Sequence, residues 1–148
     1  MSLRALFAAV LLSATVVSPA FAEATKKAES KKDAQSYTVE LTAKGPYKAG
    51  VEGKAEIVLA PKAGFHVNPD YPAKLKLQDP APEVVTYPKK VLKKDDGKFE
   101  EKGATLPVPF TVAKAGKAKI GGTFQFSVCS EKNCILEKID LEVEVDVK

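Results

Sequence analysis

Arginine is almost missing from this sequence: Arg4 is the only one, and it lies in an N-terminal segment that we expect to be removed. Arginine is the usual residue for bidentate contacts to phosphates and base edges. The lysines that give the chain its formal net charge of +4 are interspersed with acidic residues and form no basic stripe. This charge pattern argues against nucleic-acid binding.

Histidine occurs only once, as His66, which excludes a histidine-rich metal site. A Ser-His-Asp triad would also need His66, but none of the candidate serines follows a nucleophile-elbow motif. No glycine-rich phosphate loop precedes a helix. We interpret His66 as a polar loop residue, and the sequence predicts no cofactor and no metal site. A metal carrier that uses Cys129, Cys134 and His66 as ligands is kept as a third hypothesis.

Long apolar runs are limited to one, residues 5–17, close to the start of the chain. This run is short for a bilayer span, and the Ala-Phe-Ala sequence at 20–22 fits a signal-peptidase site. Residues 1–22 are therefore predicted to be a signal peptide. We expect a periplasmic protein that is not inserted in the membrane after cleavage.

Large apolar residues are absent from residues 23–36, which carry mixed charge. Such a composition cannot bury a core, so we predict a disordered tail or linker there. Residues 37–148 have the length of a single domain. We expect this domain to be a monomer.

Apolar and polar residues alternate with a period of two in several short segments of this domain. The clearest is residues 139–147, where Leu141, Val143 and Val145 alternate with acidic residues that a strand would place on one exposed face. Turn-forming Gly, Pro and Asp residues separate the segments. The pattern predicts an all-β fold, an immunoglobulin-like antiparallel β-sandwich of seven to nine strands. Pro107 and Pro109 lie two residues apart in TLPVPF, which predicts an edge strand.

Cysteine occurs twice, as Cys129 and Cys134 in the stretch FSVCSEKNCILEK. In an oxidising compartment the default state of two nearby thiols is a disulfide. The polar residues 130–133 separate two strand-like segments and predict a hairpin with a four-residue loop. Paired positions of antiparallel strands lie within reach of a disulfide.

Two roles remain open for this bond. On the chain-entropy model, closing a loop of about six residues contributes roughly 2 kcal/mol, which is a modest stabilisation. A hairpin bond near the rim of a sandwich is, however, accessible to the thiolate of another protein. The aromatic loop GFHVNPDYPAK, with Phe65 and Tyr71, also has two interpretations, either a turn that covers one end of the sandwich or a recognition loop.

Three features of the chain resemble the N-terminal periplasmic domain of the DsbD thiol:disulfide interchange proteins. They are the segment Gly64-Phe65-His66 after a strand, the TLPV strand at 105–108, and the cysteine pair followed by one last strand. The resemblance covers about 90 residues, from about Leu59 to the C-terminus. It implies an immunoglobulin-like domain that exchanges electrons with thioredoxin-like partners. It also implies that Cys134 forms the mixed disulfide with a partner and that Cys129 resolves it.

The chain also departs from the pattern of this family. Well-studied members have five residues between the cysteines, whereas this chain has four. Their cysteines are shielded by a cap loop that carries aromatic residues, and the matching residues 89–99 here are lysine-rich with only Phe99 to take that part. Phe99, Phe65 and Tyr71 are therefore the candidate cap or recognition residues.

The leading hypothesis is an exported thiol-disulfide exchange module, a possible oxidoreductase, that acts through Cys129 and Cys134 on thioredoxin-like or other periplasmic thiol proteins. The alternative is a non-enzymatic exported binding or adaptor domain in which the hairpin disulfide is purely structural.

Overall fold

Two antiparallel β-sheets face each other in the computed structural model, which describes residues 28–78 and 84–148. In the sheet that we call the N-terminal sheet, the strands lie in the order β1 (Ala28–Asp33), β2 (Tyr37–Ala43), β3 (Glu52–Pro61) and β9 (Gly103–Val112), and both β6 (Val85–Thr86) and β8 (Lys98–Glu100) pair with β9. In the sheet that we call the cysteine sheet, the order is β11 (Cys134–Val147), β10 (Gly116–Cys129), β5 (Lys74–Leu77) and β7 (Val91–Lys93), and β4 (His66–Val67) pairs with β10.

This architecture confirms the predicted all-β antiparallel sandwich. The described residues form eleven strands and one short 3-10 turn, Lys94–Asp96, and none of their helical segments could cross a membrane. The prediction of seven to nine strands is low because β4 and β6 have two residues each, too few to show an alternation, and because β1 lies in the segment that was predicted to be a tail. The predicted signal peptide at 1–22 lies outside the described residues.

The core consists of the inward-facing residues that the alternation predicts. Leu141, Val143 and Val145 of β11 are buried, whereas the acidic residues between them are exposed. Aromatic rings join the two sheets: the Tyr37 ring of β2 meets the Phe126 ring of β10 edge-on, with 4.9 Å between their centroids. Burial of such alternating apolar faces is the main contribution to the stability of a sandwich.

The N-terminal tail differs from its prediction. Residues 28–33 form β1, which pairs with β2 along its whole length, so the prediction of a disordered tail was wrong for this segment. An edge strand gains backbone hydrogen bonds from its neighbour and needs few apolar side chains for that pairing. An ion pair between Asp33 and Lys62 also ties the end of β1 to the residue after β3. Residues 23–27 lie outside the described part of the chain.

The two prolines of β9 lie where this strand has an open side. On one side β3 pairs with residues 104–111, while on the other side β8 and β6 pair only with residues 103–105 and 111–112. Within the described ranges, residues 106–110 therefore have a strand on one side only. The edge predicted from Pro107 and Pro109 is confirmed for this stretch, and the ends of β9 are paired on both sides.

Two short strands, β4 and β5, run along the side of β10 that faces away from β11. Residues 68–73 separate them and remain attached to the sheet, since the backbone N–H of Asn68 donates to the carbonyl of Ser127 at 3.0 Å. Close approach of β5 to β10 depends on Gly122. A Cβ atom at this position would lie 2.2 Å from the carbonyl oxygen of Lys76 and 2.8 Å from the Cα of Leu77.

We expect Gly122→Ala to lower the free energy of unfolding by about 3 kcal/mol, because a methyl group must push the β5 backbone away from β10. Gly50→Ala is the control: Gly50 has a φ of 74° but nothing within 4 Å of an added Cβ, so only about 1 kcal/mol of backbone strain is expected. Urea denaturation measures both values. Equal losses in the two variants would contradict this account of Gly122.

Candidate functional site

The two cysteines close the longest hairpin in the described part of the chain. β10 and β11 have 14 residues each and are paired without interruption from Gly116 opposite Val147 to Cys129 opposite Cys134. The four-residue loop predicted from the sequence is therefore confirmed.

The loop is held by its own polar groups. The N–H of Ser130 donates to the carbonyl of Asn133 at 2.7 Å, and the hydroxyl of Ser130 accepts from the N–H groups of Lys132 and Asn133 at 3.3 and 3.1 Å. These bonds keep the two strand ends together independently of the sulfur atoms.

Cys129 and Cys134 are joined in a disulfide, with their Cα atoms 3.9 Å apart. The described residues contain no free cysteine. The two half-cystines differ in exposure: Cys129 is 5% exposed, whereas Cys134 is exposed. An incoming thiolate can reach the sulfur of Cys134 more easily than that of Cys129.

His66 lies beside this disulfide. Instead of the predicted loop position, it occupies β4 directly opposite Cys129. Directly opposite residues of paired strands share a face, so Cys134, Cys129 and His66 form one row across three strands, which we call the cysteine row. This row lies on the outer face of the sheet, because Val128, the neighbour of Cys129, is fully buried on the inner face.

No group of three or more His, Cys, Asp or Glu residues in the described ranges could hold a metal ion. The sulfurs of Cys129 and Cys134 are bonded to each other, and thiolates are the form in which cysteine binds metals. The oxidised hairpin therefore offers no support to the hypothesis of a metal carrier.

Ser127 is a further member of this face that sequence analysis did not single out as a site residue. It is 1% exposed, and its hydroxyl oxygen lies 4.0 Å from the sulfur of Cys129. The alternation of Phe124, Phe126 and Val128 could have shown that Ser127 and Cys129 share the outward face. Its burial has no sequence signal, because it results from the neighbouring strands.

The candidate cap aromatics contact the core. The ring of Phe99, in β8, lies 6.5 Å from the ring of Phe124 on the inner face of β10, so it does not lie on the outer face that carries the cysteines. Phe65 and Tyr71 are half-buried and also contact the core cluster. Of these three aromatic residues, Phe65 is nearest in sequence to the cysteine row, because it immediately precedes His66.

Under the hairpin, Glu137 of β11 and Tyr37 of β2 connect the two sheets. Glu137 lies opposite Phe126 in the ladder, and Tyr37 packs against Phe126 from the other sheet. Burial of the Tyr37 phenol, followed by the charge of the Glu137 carboxylate, raises the pKa of Tyr37 to about 12. The cysteine hairpin is thereby linked electrostatically to the N-terminal sheet.

No protein-family model matches the chain, and no curated protein is significantly similar to it. The resemblance to the DsbD N-terminal domain therefore depends on the Gly64-Phe65-His66 segment, the TLPV strand and the cysteine hairpin alone.

The difference in exposure between the two cysteines predicts different reactivity. After reduction of the folded protein, we expect iodoacetamide to modify Cys134 roughly tenfold faster than Cys129, because the Cys129 thiol is covered by neighbouring strands. Mass spectrometry of the two cysteine peptides measures the rates. In guanidinium chloride the rates should converge, and equal rates in the folded protein would contradict this interpretation.

The raised pKa of Tyr37 predicts a loss of stability at alkaline pH. An unfolded tyrosine ionises near pH 10, whereas folded Tyr37 keeps its proton to about pH 12. The folded state thus holds more protons in this window, and the free energy of unfolding falls as the pH rises through it. Lys117 and Lys119 also have raised pKa values and lower the free energy of unfolding in the same direction as the pH rises. A variant that changes only Tyr37 keeps both lysines, so their contribution cancels in the comparison.

We expect Tyr37→Phe to show a shallower decline in the free energy of unfolding than the unmodified protein between pH 10 and pH 12. Urea denaturation at a series of pH values gives both slopes. Parallel slopes would show that Tyr37 ionises alike in the folded and unfolded states.

Proposed function

We propose that this protein is an exported thiol-disulfide exchange module that transfers electrons through Cys129 and Cys134. The single observation that carries the proposal is the asymmetric disulfide at the end of the β10–β11 hairpin, with one exposed and one buried half-cystine. A bond of this kind has one sulfur for a partner to attack and a second, protected sulfur to act as the leaving group.

In the direction that reduces the module, the thiolate of a reduced partner attacks the sulfur of Cys134. The Cys129–Cys134 bond breaks, Cys129 leaves as a thiolate that takes up a proton, and a mixed disulfide joins Cys134 to the partner. The second thiol of the partner then attacks its own sulfur in the mixed disulfide and releases Cys134. Two electrons have passed to the module, and the partner is left as a disulfide.

In the opposite direction, the thiolate of reduced Cys134 attacks the disulfide of an oxidised acceptor. Cys129 then attacks the sulfur of Cys134 and releases the acceptor as a dithiol, which restores the hairpin disulfide. Cys134 is thus the residue that meets partners, and Cys129 is the resolving cysteine. This assignment agrees with the one implied by the DsbD resemblance, which also supports thioredoxin-like or other periplasmic thiol proteins as partners.

The fold supports repeated opening of this bond. The core is formed by apolar residues between the sheets, and the hydrogen bonds of residues 130–133 hold the loop without the sulfurs. A purely structural bond, as in an adaptor domain, would have to stabilise the domain. Closing so short a loop contributes only roughly 2 kcal/mol on the chain-entropy model.

The reduction potential separates exchange from a structural role. We expect equilibration with glutathione or dithiothreitol couples to give a value above about −300 mV, the upper limit typical of structural disulfides. Circular dichroism should show that the β fold survives reduction. A potential near or below −300 mV together with unfolding on reduction would instead support the adaptor domain.

Trapping tests the roles of the two cysteines. We expect Cys129→Ser to accumulate a mixed disulfide through Cys134 when it is mixed with an oxidised thioredoxin-like protein, because the resolving thiol is gone. The matched control is Cys134→Ser, whose only thiol is the buried Cys129. Non-reducing electrophoresis followed by peptide mapping reads out both, and equal trapping by the two variants would refute the assignment.

A further inference from the structure

A row of lysines crosses the outer face of the cysteine sheet near the disulfide. Lys138 of β11 is opposite Gln125 of β10, Gln125 is opposite Lys74 of β5, and Lys74 is opposite Lys93 of β7. We call these four residues the lysine row. All three lysines are exposed and, because opposite residues share a face, they point to the same side as Cys129 and Cys134.

These lysines lack the carboxylate partners that lysines farther along β10 have. Lys117 and Lys119 of β10 form ion pairs with Glu144 and Glu142 of β11, each at 2.9 Å. In contrast, no ion pair within the described ranges involves a lysine of the row.

Inside the lysine row, Lys74 and Lys93 stand directly opposite each other, an arrangement of like charges that destabilises a sheet. Two carboxylates lie near the row. Asp140, two residues from Lys138, accepts a hydrogen bond from Thr123. Asp96 is paired with Lys89, and it also accepts a hydrogen bond from the N–H of Lys93 and is attracted by the charge of Lys93. The three lysines of the row outnumber these two carboxylates, one of which is shared with Lys89. Positive charge is therefore concentrated at the end of the sheet that carries the cysteines.

An exposed apolar residue lies between this charge and the disulfide. Leu136 is two residues from both Cys134 and Lys138 on the same face of β11, and it is 66% exposed. The four residue steps from Cys134 to Lys138 span about 13 Å. One face thus presents, in order, a disulfide, an apolar contact and a row of positive charges.

We propose that Leu136 and the lysine row form the docking surface for the thiol partner, and that this partner carries carboxylates about 13 to 20 Å from its reactive sulfur. This inference rests on the proposed exchange function and adds the chemistry of the partner surface to it. An acidic partner docked on the lysines places its sulfur over Cys134, the exposed half of the disulfide. The like charges opposite each other in β5 and β7 are then compensated in the complex.

Synthetic peptides test this surface without a known partner. We would compare two extended peptides with one cysteine each, one with three glutamates spaced to reach the lysine row and one with glutamines in their place. At 10 mM ionic strength, where the Debye length of about 30 Å exceeds the distance involved, we expect the glutamate peptide to open the disulfide roughly fivefold faster. The products of this step are a mixed disulfide between the peptide and Cys134 and a free thiol at Cys129. At 0.5 M salt the two rates should become equal.

Charge variants assign this effect to the lysine row. In the triple variant Lys74→Glu, Lys93→Glu and Lys138→Glu, the preference should reverse so that the glutamine peptide reacts faster. The triple change to Gln, which disturbs the sheet less, should abolish the preference. The control is Lys44→Glu, Lys48→Glu and Lys54→Glu around Tyr47, which makes the same change in net charge near the other end of the hairpin and should keep the preference.

The outcomes distinguish the docking surface from the proposed exchange function on which it rests. If both peptides form the mixed disulfide with the folded protein at rates that no lysine variant alters, exchange stands and the docking surface is refuted. If the control variant loses the preference as fully as the lysine-row variant, net charge is responsible and the surface is again refuted. If neither peptide opens the disulfide until the domain unfolds, both the exchange function and the docking surface are refuted.

Discussion

The unbroken ladder between β10 and β11 is the constraint on which the rest of the structure depends. Its register fixes which residues of both strands face the core and which face outward, since a shift by one residue would exchange the two faces. The same register ends with the cysteines opposite each other. Core, disulfide and outer surface are therefore set by one pairing, and a shift of the site by a single residue along the strand would expose the apolar face.

The unequal exposure of the cysteines has a simple origin in strand order. At this end of the sheet β10 lies between β11 and β4, so Cys129 has a neighbouring side chain on each side, including His66. Cys134 begins β11, the outermost strand in the order of this sheet, and follows a polar loop. Two chemically identical residues thus acquire different access to solvent because one is in an inner strand and the other in an outer one. No special residue near the sulfurs is needed.

The parts of the structure that depend on local periodicity could be predicted from the sequence. The alternation in residues 139–147, the polar loop between the cysteines and the paired prolines of β9 each correspond to the observed elements. The short strand that carries His66 could not be foreseen, because two residues show no period and their pairing depends on distant β10. β1 was missed for a related reason: it is held by backbone hydrogen bonds to β2, and its polar composition gives no sign of this pairing. The packing of Phe99 against the core likewise depends on how β8 joins β9, which no local pattern encodes.

The prolines of β9 also matter for the behaviour of the protein at high concentration. An exposed strand edge offers N–H and C=O groups on which another chain can add a strand, and this is a common route to aggregation. In the open stretch 106–110 of β9, two of the five residues are prolines and have no N–H group to offer. A foreign strand would find an incomplete ladder there. Among the described residues, the stretch of β9 between its pairings with β8 and β6 is thus a poor template for strand addition by a second copy of the chain.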